Sequence, residues 1–170
     1  VLSQKLLDAL NDQLKWEFYS AHLYLAMAAY CHDQGLDGFA NFFRVQVQEE
    51  TFHAMKFFDY INQRGGRIVI SGIDQPQNEY ASILDVFTKA YEHEQLVTKR
   101  IYALSDIALE EKEHATISFL KWFIDEQMEE EETFGNLIKK LSRIQNDQHA
   151  IYALDAELAQ RVFTPPATAK

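Results

Sequence analysis

The sequence predicts an all-α fold: a four-helix bundle with one long crossover and a short fifth helix at the C-terminal end. Three features of the 170 residues point to it. Four long stretches repeat apolar residues at alternating steps of three and four, the spacing that puts side chains on one helix face. The turns near 34–38 and 111–113 are short and join antiparallel neighbours. A single glycine- and proline-bearing segment, about 65–81, is long enough to run the length of a bundle.

The first helix, about 4–33, carries the stripe Leu10, Leu14, Glu17, Ala21, Tyr24 and Ala28, and Gly35 and Gly38 end it. The second, 39–64, carries Phe39, Phe43, Gln46, Glu50, His53, Phe57 and Tyr60. Between 65 and 81 lie Gly65, Gly66, Gly72 and Pro76. About 16 extended residues reach ~50 Å, whereas a helix of about 26 residues measures ~40 Å, so this segment can leave the second and third helices parallel. Arg67-Ile68-Val69-Ile70 within it favours an extended backbone that could pair with a copy of itself in a dimer. The third helix, 82–110, opens on Ser82 and Asp85, spaced as a capping box, and carries Ile83, Phe87, Ala90, Glu94, Val97, Ile101 and Leu104. The fourth, 114–144, carries Leu120, Phe123, Gln127, Glu130, Phe134, Leu137 and Leu141, with Gly135 as a place for a bend. A short helix, about 147–162, gathers Ile151, Leu154, Leu158 and Val162 on the side that meets the bundle end or a neighbouring subunit. All of 1–170 reads as one domain.

Each stripe is interrupted near its middle by an acid. Glu17, Glu50, Glu94 and Glu130 fall near the centres of helices of similar length, so side-by-side packing brings them to one level inside the bundle. Buried acids cost roughly several kcal/mol each unless positive charge meets them, and no Lys or Arg lies on any stripe. A pair of divalent cations supplies that charge. The Glu-x-x-His of Glu50 and His53 lets an oxygen and a nitrogen donor meet one metal, and carboxylates with one imidazole suit iron, manganese or zinc better than calcium or magnesium. Glu126 and Glu129 flank the fourth stripe and Glu49 adjoins Glu50, a set that could take a further cation.

Other residues are open to plainer readings. Tyr24 is either a core tyrosine with a satisfied hydroxyl or a residue that hydrogen-bonds a metal ligand or donates an electron. Trp122 reads as packing, and Met27, Met55 and Met128 as core or interface filler. His22, His32, His93, His114 and His149 lack ligand spacing and read as ordinary helix or surface residues. Glu110, Glu111 and Glu113, near the turn between the third and fourth helices, are candidates for a cation entry path.

Composition narrows the function. A formal net charge of -10 argues against nucleic acid, because binding phosphates requires clustered Lys and Arg. No apolar run is long enough to span a bilayer, and the opening VLSQKLLDALNDQ is too polar for a secretory signal. A single cysteine, Cys31, has no internal disulfide partner and suits a reducing cytoplasm.

Glu17 and Tyr24, Glu49-Glu50-x-x-His53, Glu94 and Glu126-Gln127-x-Glu129-Glu130 resemble the motifs of the ferritins, most closely the non-haem bacterial type, over essentially the whole chain. The resemblance implies the same crossover topology. It implies that Glu17, Glu50 and His53 hold one iron, that Glu50 as a bridge with Glu94 and Glu130 holds a second, and that Glu49, Glu126, Glu129 and Glu130 form a third position. Gln127 falls within the same motif and is counted with the metal set. Bacterioferritins and rubrerythrin-like proteins carry a second Glu-x-x-His where this chain has Gln127 and Glu130, and bacterioferritins place a haem-ligating Met where it has Thr51, so haem is not expected. Animal catalytic chains typically have a small residue at the position of Glu130, and light chains lack the complete ligand set found here. The implied activity is oxidation of Fe(II) to Fe(III) by O2 or peroxide, with ferric oxide stored in a homo-oligomeric cage of 24 subunits and the last helix at the four-fold axes. The rivals are a di-iron oxidase or oxygenase of an organic substrate and a non-catalytic metal-binding bundle.

Overall fold

The structure is a computed structural model that describes residues 1–166. It contains five helices, α1 (Gln4–Asp33), α2 (Asp37–Gln63), α3 (Ile83–Glu110), α4 (His114–Ile144) and α5 (Gln148–Leu158). Every residue of the four stripes is buried except Ile83, which is half-buried. Among the described residues no helix is long and apolar enough to cross a membrane.

Cross-helix pairs fix the topology. Asp12 and Tyr24 of α1 meet Arg100 and Glu94 of α3, so these helices are antiparallel. The short turn at Gly35 makes α1 and α2 antiparallel as well, which leaves α2 and α3 parallel. The connection between them runs along α1. Asn11 holds its start, donating to the Arg67 carbonyl (3.0 Å) and accepting from the Val69 N–H (2.8 Å). Gly72, Ile73 and Asp74 then lie over Lys15, Trp16 and Tyr19, and Tyr80 packs edge-on against Tyr30, with ring centroids 5.3 Å apart.

Helix ends follow from local chemistry. Ser3 caps α1 by accepting from the Leu6 N–H, and Ser82 caps α3 by accepting from the Asp85 N–H, both at 3.0 Å. Asp85 reaches back to the Ala81 N–H rather than to that of Ser82. Gly35 takes φ +71°, the left-handed conformation that glycine adopts without strain.

Two boundaries differ from expectation. Gly38 does not end α1; it lies in the first turn of α2, beneath α5. A Cβ there would sit 1.7 Å from the Asp155 carbonyl oxygen, and the Asp155 carboxylate accepts from the Phe39 N–H at 2.9 Å, capping a helix that has no cap of its own. Gly38→Ala should therefore undock α5 and cost about 1–3 kcal/mol, read as a lowered denaturant midpoint. α5 ends at Leu158, and Val162 lies beyond it, exposed. Gly135 sits in unbroken α4, where a Cβ would meet only the Tyr91 ring, at 3.8 Å.

The core is divided. One apolar cluster, rich in phenylalanine (Phe39, Phe42, Phe43, Phe87, Phe134), lies at the α5 end. A second, built on Leu6, Leu10, Phe57, Ile101, Leu120 and Phe123, fills the other end. Between them lies a buried polar layer.

Candidate metal centre

Each helix contributes to that layer because its stripe passes through the bundle's middle. Glu17, Glu50, His53, Glu94, Gln127 and Glu130 are all at least 96% buried, with exposures between 1% and 4%. Ligand atoms of Glu17, Glu50 and His53 lie within 4.8 Å of one another, as do those of His53, Glu126 and Glu130. His53 joins the two triads. Its Nδ1 is 3.3 Å from Glu50 Oε2 and 3.9 Å from Glu17 Oε2, and its Nε2 is 3.6 Å from Glu126 Oε1.

Glu94 is held from two sides. The Tyr24 hydroxyl donates to Oε1, and Gln127 Nε2 donates to Oε2 at 3.0 Å. Gln127 also reaches the Glu94 carbonyl and Thr98 Oγ1, both at 3.2 Å, so its amide nitrogen serves Glu94. Glu49 and Glu126 are half-buried and Glu129 is exposed. These three, with Phe52, His53 and Trp122, border a pocket of about 170 Å³.

The layer is electrostatically incomplete. Burial pushes the Glu50 and Glu130 carboxyls well above the usual carboxylate range, with Glu94 adding to both; burial likewise pushes Glu94 up to about 7. Burial opposes the imidazolium of His53, yet Glu50, Glu126 and Glu17 hold its pKa well above the ordinary value. Burial, then Glu94, Glu50 and Glu130, keep the Tyr24 phenol protonated. Glu17 Oε2 is buried with no hydrogen-bond partner, an orphaned acceptor that a cation would satisfy. The oxygen-rich donor set with one imidazole fits iron.

Several supporting residues are not evident from the stripes alone. Gln13, four residues before Glu17, donates to Glu17 Oε1 at 3.0 Å, and that i,i+4 spacing is the signal that points to it. Gln46 lies on the stripe and donates to Glu130 Oε2 at 3.1 Å. His93 is a buried residue rather than a surface one: Nε2 is 2.7 Å from Ser20 Oγ, and burial lowers its pKa to about 4. Trp122 packs edge-on against His53, with centroids 5.4 Å apart. Met27 is core, whereas Met55 and Met128 are exposed. Glu110 pairs with Lys5 (2.8 Å), Glu113 with Arg64 (2.6 Å), and Glu111 accepts from Ser3 (2.7 Å).

The ferritin-like domain family matches residues 7–144. The chain belongs to the ferritin family. It is 50% identical to the bacterial non-heme ferritin of Staphylococcus saprophyticus over 163 residues, which is 96% of this chain and 98% of that one. Identity to the bacterial non-heme ferritin of Staphylococcus aureus is 48% over the same span. Among solved structures, a humanized archaeal ferritin superposes with a TM-score of 0.96 at 48% identity, covering 97% of this chain and all 100% of that one. The open-pore ferritin of Archaeoglobus fulgidus gives 0.94 at 46%, covering 95% and 100%. The bundle and its crossover are thus those of a ferritin chain of the ferroxidase type, and the two triads are consistent with a di-iron site.

Proposed function

We propose that this chain oxidises Fe(II) and stores the ferric product. The observation that carries the reading is the orphaned Glu17 oxygen in a buried layer of acids from all four long helices. Iron is the substrate. Glu17, Glu50 and His53 hold one Fe(II), and Glu50, Glu94 and Glu130 hold a second, so that both face a common oxidant. With O2, each iron gives one electron, and the oxidant takes two electrons and two protons and leaves as hydrogen peroxide. Tyr24 and Gln127 hold Glu94 in place, and Gln46 and Gln13 do the same for Glu130 and Glu17. Tyr24 lies close enough to supply a further electron. Glu49, Glu126 and Glu129, with Glu130, form a third position. Its pocket sets Glu49, Glu126 and Glu129 beside Phe52, Trp122 and Phe163, and the three carboxylates suit a cation.

We place the whole chain as a single domain in a cytoplasmic homo-oligomer of 24 subunits. Exposed Leu25, Ile70 and Ile73, which share one surface depression with Val47 and Phe18, supply an apolar face for a second copy. The test is to size the protein, add Fe(II) in air and size it again. Iron should co-elute with a large particle. Ferric precipitate outside the protein would overturn storage, and elution as a lone bundle would overturn the cage.

A further inference from the structure

The chain beyond α5 is anchored to α2. Asn41 Nδ2 donates to the carbonyls of Leu158 (3.0 Å), Ala159 (3.3 Å) and Arg161 (2.9 Å), holding the chain beyond α5 against α2. Arg161 then lays its guanidinium on α2. Nη1 donates to the Phe42 carbonyl at 3.1 Å, and Nη2 donates to Gln46 Oε1 at 2.6 Å and lies 3.3 Å from Glu49 Oε2. The guanidinium carbon stands 4.3 Å from the Phe42 ring centroid. Phe42, Gln46 and Glu49 are separated by steps of four and three and so share a helix face. Further on, Phe163 packs against Phe52 with centroids 6.4 Å apart, and Phe163, Thr164 and Pro166 close one side of the acidic pocket.

We propose that Arg161 is a built-in counter-ion of the third iron position, which a divalent cation must displace from Glu49 in order to bind there. The proposal rests on the third-position reading. A guanidinium is charged at every physiological pH, and here its fork already occupies an oxygen of Glu49. A dication arriving among Glu49, Glu126 and Glu129 meets a like charge at contact range and loses affinity. The third position therefore fills after the pair and releases its ion readily.

Calorimetric titration of the assembled protein with Zn(II), a redox-inert probe, tests this in the parent, Arg161→Gln and Arg161→Lys. Loss of the charge in Arg161→Gln should tighten the third binding event about tenfold or more and leave the first two unchanged. Arg161→Lys, which keeps the charge, should stay near the parent. Equal third-site affinity in the parent and Arg161→Gln would overturn the role of Arg161 and leave the third position standing. Equal tightening in both variants would assign the effect to packing and overturn the proposal too. A third event absent from all three proteins would remove the third position itself, and this proposal with it.

Discussion

Replacing Glu50 and His53 together by alanine is expected to lower the initial rate of Fe(II) oxidation by at least about 100-fold. Loss of a residue that merely supports a ligand commonly costs about 10–100-fold in metal affinity or activity, and here two candidate ligands go at once. Glu50 is the bridging ligand of the proposed pair, and among the described residues His53 is common to both triads. The bundle should survive. Glu50 is an acid that burial pushes well above its usual range, so its removal relieves a cost that offsets part of the cavity left behind. Stopped-flow oxidation beside circular dichroism separates the two effects. A folded double variant with parental initial rates would sink the ferroxidase assignment.

The parts of this molecule legible in its sequence are those where a residue's neighbours lie within its own helix or at its own level. The stripes mark the buried faces because burial follows helical period, and the level of the four acids follows from helix length alone. The features that escape depend on pairs 73 to 120 residues apart. Asp155 caps α2 through Phe39, across 116 positions, and no local pattern announces it. The same contact explains Gly38, which reads as a helix breaker until α5 is seen resting on it. Val162 fits the spacing of α5, but the helix ends at Leu158, where Asn41 donates to the carbonyls of Leu158 and Arg161. No positive charge lies on any stripe, yet Arg161 reaches the edge of the acid cluster from outside the four long helices. His93 lacks ligand spacing and reads as an ordinary helix or surface residue, but it lies in the contact between α1 and α3, where it meets Ser20.

Metal-free protein is expected to lose stability as pH rises from 5 to 8, and divalent metal should restore it most at the alkaline end. The Glu94 pKa rises from about 4.5 to about 7 on folding. Between those values the folded chain holds a proton that the unfolded chain has released, so stability falls with rising pH. A shift of this size corresponds to ~3 kcal/mol, or very roughly 10 °C in apparent Tm for a chain of this length. Glu50 and Glu130 act in the same sense, since burial raises both. So does His53. Despite the opposing effect of burial, its acidic neighbours hold its pKa above the ordinary 6.5, so its contribution is complete below that value and fades as pH climbs through the folded pKa. Metal reverses the trend because it takes the protons' place: it binds the ionised carboxylates and the neutral imidazole, releasing protons as it does so. Zn(II) at about 1,000 times its dissociation constant adds ~4 kcal/mol per site, and that affinity is itself greater at pH 8 than at pH 5.5. Thermal scans of the apo and Zn(II)-loaded protein across this range should diverge with pH, and Glu94→Gln should flatten the apo curve. An apo Tm independent of pH would mean that the buried acids carry no penalty for metal to relieve.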